Sequence, residues 1–147
     1  MELKKVSIKT IISNNDPLNS FTLYLFEKKN KILIPIALTE GSAHAIIDAQ
    51  NKIETPRPHI HNTLKRLILG LGAKLTGAII YKEHEGIYYT YLRLENKKQV
   101  LDIDAKATDA LCVATRMNKP IFIYSNVLDK VGIKVTKELL DAATNTV

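Results

Sequence analysis

The chain has 147 residues, about the length of one ordinary globular domain, and dividing it would leave each half short of a core. Hydrophobic residues make up 46% and charged residues 24%, which excludes a disordered, collagen-like or coiled-coil chain. Lys and Arg number 21 against 15 Asp and Glu, for a net charge of +6, a balance that suits an anionic partner or, equally, a solvated lysine-rich surface.

The surplus is uneven. Residues 51–100 hold nine basic side chains against four acidic ones, whereas residues 1–50 hold six against five and residues 101–147 six against six. The lone Cys112 excludes an intrachain disulfide framework, and its neighbours Leu111 and Val113 predict a buried, inert thiol. No apolar leader and no run of ~18 apolar residues is present, so the expectation is a soluble, cytoplasmic protein without a membrane segment.

In chain order, Val6, Ile8 and Ile11 mark a first strand, after which Asn14-Asn15-Asp16-Pro17 is a turn cluster. Phe21–Phe26 and Ile32–Ile36 flank the charged turn 27–31 and predict a hairpin, with Pro35 placing the third strand at an edge or bulge. Thr39 caps a helix from Glu40 to about Asn51. Two prolines then stiffen Glu54-Thr55-Pro56-Arg57-Pro58 and fix the direction of Arg57. A second helix runs from about His59 to Gly70, with Leu64, Leu67, Ile68 and Leu71 as its apolar face. Strands at Gly77–Lys82, Ile87–Leu94 and about Gln99–Ile103 form an antiparallel meander. A third helix, Thr108 to Met117, takes Thr108 as its cap, Pro120–Tyr124 is a short buried strand, and Lys134–Ala143 is a terminal helix. The expected fold class is therefore α+β: one domain with a mixed, mainly antiparallel sheet and helices packed on it.

No phosphate loop, dinucleotide fingerprint, zinc spacing or nucleophile elbow occurs. His59 and His61 are two apart and diverge at a helix start, which is poor geometry for one shared metal; His61 is the better single candidate. In Asp102-Ile103-Asp104-Ala105-Lys106-Ala107-Thr108-Asp109 the first two aspartates share a strand face and Asp109 opens a helix. Such a turn either holds a divalent cation beside a phosphodiester or is cap chemistry alone. Arg116 pairs with one of these acids or meets a phosphate. Tyr81, Tyr88, Tyr89 and Tyr91, interleaved with Lys82, Arg93, Lys97 and Lys98, mix base-stacking rings with cations, although half of each strand faces inward.

The order and spacing of Leu33-Ile34-Pro35-Ile36, Pro56-Arg57-Pro58, His61, Tyr88-Tyr89, Ile103-Asp104-Ala105, Asp109-Ala110, Arg116 and Pro120-Ile121 resemble the bifunctional nuclease domain, a family described as having DNase and RNase activity. The likeness spans roughly residues 4–132, which sets a domain at 1–132 and a C-terminal helical extension at 133–147. The family's Arg-Pro-x-Thr-His-Asp signature falls on Arg57 to Asn62, with Ile60 and Asn62 as departures. Its Asp-Ala-Arg-Pro-Ser-Asp-Ala signature falls on Asp104 to Ala110, with Lys106 and Ala107 as departures, and Ser42 stands where a glutamate is usual. Lys106 keeps the charge without the guanidinium fork.

The resemblance implies a metal-assisted phosphodiesterase acting on DNA or RNA. In that reading Asp104 and Asp109 hold Mg²⁺ or Mn²⁺, His61 is general acid or base, and Arg57, Lys106 and Arg116 bind phosphate. The altered signatures motivate a second reading, a non-catalytic, homo-oligomeric nucleic-acid-binding or regulatory module. A third is that the same side chains only pin helices to the sheet.

Overall fold

The computed structural model describes residues 2–138 and 141. Strands β1 (Leu3–Ser13), β2 (Phe21–Glu27) and β3 (Ile32–Leu38) are followed by helices α1 (Glu40–Gln50) and α2 (Ile60–Gly70). Then come β4 (Lys74–His84), β5 (Ile87–Glu95), β6 (Val100–Lys106), α3 (Ala107–Arg116), β7 (Ile121–Tyr124), α4 (Ser125–Val131) and β8 (Ile133–Lys134). All strands belong to one sheet in the order β6-β5-β4-β7-β1-β2-β3-β8, antiparallel throughout except that β7 runs parallel to β4. The expected α+β class, hairpin and meander are borne out.

Local chemistry explains the corners. Glu85 and Gly86 both take positive φ, +49° and +80°, as a two-residue hairpin between right-twisted strands demands. Thr39 caps α1 by accepting from the Ser42 amide at 3.2 Å. Pro35 sits where β3 has β2 on one side only, because β8 covers just Ile32 and Leu33.

One core joins both layers. Leu23, Leu25, Ile34, Ile36, Ala78, Ile80, Leu92 and Ile123 of the sheet meet Ala43 and Ile46 of α1, Ile68 of α2, Ala110, Leu111 and Val113 of α3, and Leu128 of α4. All four helices therefore cover the same sheet face. The sheet bends round this core until Tyr88 on β5 donates its hydroxyl to the Pro35 carbonyl on β3, at 2.8 Å, although β3 is five positions away in the strand order.

Four local expectations change. Leu67 and Leu71 are 54% and 82% exposed, and α2 buries His61, Asn62 and Ile68 instead, because its polar first turn docks on α3. The α3 cap is Lys106, and Thr108 lies inside the first turn with its hydroxyl unbonded. Helix α4 follows β7 where no helix is expected. Of the terminal helix expected over 134–143, residues 137, 138 and 141 are helical, residue 134 ends β8, and residues 139, 140, 142 and 143 lie outside the described residues. No helix among the described residues is long and apolar enough to cross a membrane.

Candidate active site

The first turns of α2 and α3 meet, since His61 is the second residue of α2 and Asp109 the third of α3. His61 Nε2 lies 2.9 Å from Asp109 Oδ1. With its proton on Nε2 the imidazole donates to the carboxylate, which fixes ring orientation and leaves Nδ1 the lone-pair nitrogen. The His61 side chain is 11% exposed and that of Asp109 50%, so the pair opens to solvent on the aspartate side. Both residues stand at helix N-termini, where unpaired amides and the helix dipole favour negative charge.

A second histidine–aspartate contact flanks this one. His59, the residue before α2, brings Nε2 to 3.4 Å from Asp48 Oδ2 of α1, without hydrogen-bond geometry. The two histidines reach two different helices, in keeping with the divergence that their spacing predicts. Between these helices Cys112 bonds to the Ala45 carbonyl of α1 at 3.4 Å, and burial pushes its thiol up to about 12, so it is no nucleophile.

Lys106 leads from the sheet into α3 and is exposed. It lines a cleft of about 210 Å³ together with Ile36, Tyr88 and Thr108, three residues before Asp109. Arg57 is exposed on the segment between α1 and α2, and its carbonyl accepts from the Thr55 hydroxyl. Both cations are free to swing toward a bound anion.

Two of the proposed site residues lie elsewhere. Asp102 and Asp104 share a face, but Asp104 pairs across the ladder with Tyr91 and accepts from the Tyr81 hydroxyl at 3.3 Å, on the sheet face away from the helices. Arg116 is buried at the far end of α3, about 10 Å along the axis from Asp109. Its Nη1 donates to the Ile53 carbonyl at 2.8 Å, while Lys52 Nζ donates to the Thr115 carbonyl at 2.6 Å. Burial, with Lys65 and Arg116 near, holds the Lys52 ammonium below its usual range. Lys52 thus closes the C-terminus of α3, and Arg116 ties that end of the helix to the start of the segment bearing Arg57.

The donor set does not gather around a cation. Asp104 and Asp109 lie on opposite sides of the sheet, and among the described residues no group of three or more His, Cys, Asp or Glu is placed to hold a metal ion. The Mg²⁺ or Mn²⁺ site implied by the resemblance has no ready cage among the described residues. Asp48 is the partner that sequence reasoning missed. It is one more polar residue on a helix, and only the packing of α1 against the α2 entry singles it out.

Comparison with known proteins converges on one family. The model of the bifunctional nuclease domain matches residues 23–136. Two uncharacterized Mycobacterium tuberculosis proteins, from strains CDC 1551 and H37Rv, are each 29% identical over 146 residues, covering 99% of this chain and 85% of theirs. Bifunctional nuclease 1 of Oryza sativa subsp. indica is 26% identical over 114 residues, which is 76% of this chain and 34% of the rice protein.

Proposed function

This chain belongs to the bifunctional nuclease domain family, and from that membership we propose that it hydrolyses phosphodiester bonds of DNA or RNA at the junction of α2 and α3. The observation that carries the reading is the 2.9 Å contact between His61 and Asp109 at two converging helix N-termini. His61 takes the proton of the attacking water, and Asp109 holds the imidazole in place and offsets the charge of the imidazolium that forms. The imidazolium then returns a proton to the leaving oxygen. Arg57 and Lys106 bind the phosphate and offset its growing negative charge. Arg116 acts at one remove, by anchoring the segment that presents Arg57. The setting we infer is the cytoplasm, where a single reduced cysteine is the ordinary state.

Cleavage of labelled single- and double-stranded substrates, with and without Mg²⁺ or Mn²⁺, tests this reading. His61→Ala should lower the rate by about 10²-fold or more. Cleavage unchanged in His61→Ala and Asp109→Asn would place the activity elsewhere.

One observation favours the homo-oligomeric module as a second reading. Strand β6 is one of the two edge strands, and Leu101 and Ile103 on it are 40% and 45% exposed. An open apolar edge suits pairing with a second copy. Sedimentation of the wild type and of Ile103→Lys checks it: a dimer that the lysine dissociates is the expected result, and a wild-type monomer removes this support.

A further inference from the structure

The sheet face opposite the helices carries its own constellation. Ring centres of Tyr81 on β4 lie 5.4 Å from Tyr91 and 6.3 Å from Tyr89, both on β5. Lys82 Nζ stands 5.1 Å from the Tyr89 ring centre and the Arg93 guanidinium 5.5 Å from that of Tyr91. Alternation alone would send Tyr81 and Lys82 to opposite faces. The ladder irregularity between Ile80 and Lys82 turns both to this one, as a bulge does.

Hydroxyls hold the rings in place. Tyr81 donates to Asp104, and the Tyr91 and Tyr124 hydroxyls are 3.0 Å apart. Arg93 is fixed by a two-pronged pair to Asp102, at 2.9 and 3.1 Å. The helices all pack on the other face, so no helix among the described residues covers these rings.

We propose that this tyrosine face of β4, β5 and β6 is a docking platform for a single-stranded nucleic acid, whose bases stack on Tyr81, Tyr89 and Tyr91 while its phosphates follow Lys82, Arg93 and Lys106. The inference rests on the nucleic-acid reading above and adds the form of the substrate. Charge on the face itself suits a polyanion: Lys82, Arg93 and Lys106 stand there against Asp102 and Asp104, and Lys82 and Lys106 are exposed. A duplex keeps its bases stacked on one another, whereas an open strand offers their faces to protein rings. Lys106 stands opposite Tyr89 in the ladder and three residues before Asp109, so a strand lying on the platform leads over the end of β6 toward the histidine–aspartate pair.

The test is equilibrium binding of a fluorescein-labelled thymidine dodecamer to the whole protein, read by anisotropy at low and moderate salt. Wild type should bind, and more weakly as salt rises. Tyr89→Leu should bind about tenfold more weakly, while Tyr89→Phe keeps wild-type affinity because the ring remains. Lys82→Ala, an exposed change, should also weaken binding and lower the salt slope by about one, which keeps the test independent of any folding defect in the leucine variant. No binding at low salt, or equal affinity in Tyr89→Leu and Lys82→Ala, overturns the platform. So does self-association that Tyr89→Leu abolishes, since the rings then belong to a contact between copies. Binding without cleavage overturns the nuclease reading alone, and cleavage of single strands indifferent to Tyr89 overturns the platform alone.

Discussion

His61 and Asp109 are 48 residues apart in the chain and 2.9 Å apart in space, joined across the first turns of two helices. Neither helix makes the pair alone. Residue 61 is aimed by the packing of α2 against α3, and residue 109 by the short passage from β6 into α3.

A pair that works as one unit loses its function once. Asp109→Asn should lower phosphodiester cleavage by about 10²-fold, and the double variant with His61→Ala should be no slower than His61→Ala alone. Single-turnover rates of the four proteins on one labelled substrate give the answer, and additive losses would show that the two side chains act separately.

Arg116 should matter to stability before chemistry. Its guanidinium is buried and donates to the Ile53 carbonyl, so Arg116→Leu removes one charge-assisted hydrogen bond at the corner that starts the Arg57 segment. Urea unfolding should show a loss of about 1–3 kcal/mol. Affinity for a phosphodiester should fall less than in Arg57→Ala, because Arg57 is exposed and free to reach the ligand itself.

Much of this architecture is legible in the residues. Alternation exposes β1, β2 and β5, the charged turn 27–31 marks a hairpin, and Thr39 marks the start of α1, because each signal is local. Leu67 and Leu71 mislead for the opposite reason. A helix chooses its buried face by what it docks on, and α2 docks through His61 and Ile68. The same limit applies to the site. The family signature points to His61 and Asp109, but it does not show that Asp104 turns to the Tyr81 side of the sheet or that Arg116 sits at the other end of α3, bonded to the Ile53 carbonyl. Those positions follow from strand pairing and helix length, which no short motif encodes.

Gly77 is held to its identity by the neighbouring backbone. A Cβ built there would lie 2.6 Å from the Pro120 carbonyl oxygen, the atom that accepts from the Ala78 amide at 3.1 Å. The nearest atom is backbone and cannot swing aside, and the Phe122 ring stands 3.3 Å from the same point. Gly77→Ala should therefore destabilise by about 1–3 kcal/mol and loosen the parallel β4–β7 ladder. Chemical unfolding gives the magnitude, and amide exchange at Ala78 reports whether that ladder is where the damage falls.

Tyr88 predicts how stability responds to alkali. Burial is the main cause that pushes its phenol up to about 12, with Glu83 adding to it, and the protonated hydroxyl donates to the Pro35 carbonyl on β3. In the unfolded chain the phenol ionises near its ordinary value of about 10. The folded state therefore favours the protonated form. The resulting stabilisation is complete below pH 10, falls as the unfolded phenol ionises, and is gone once pH passes about 12. Tyr91, pushed up to about 12 by burial and its bond to Tyr124, acts in the same window and direction. Tyr88→Phe should cost about 0.5–1.5 kcal/mol near neutrality and should lose less stability than wild type between pH 10 and 12. Urea midpoints at neutral and alkaline pH measure both. A variant as alkali-sensitive as wild type would mean that Tyr88 does not carry the effect.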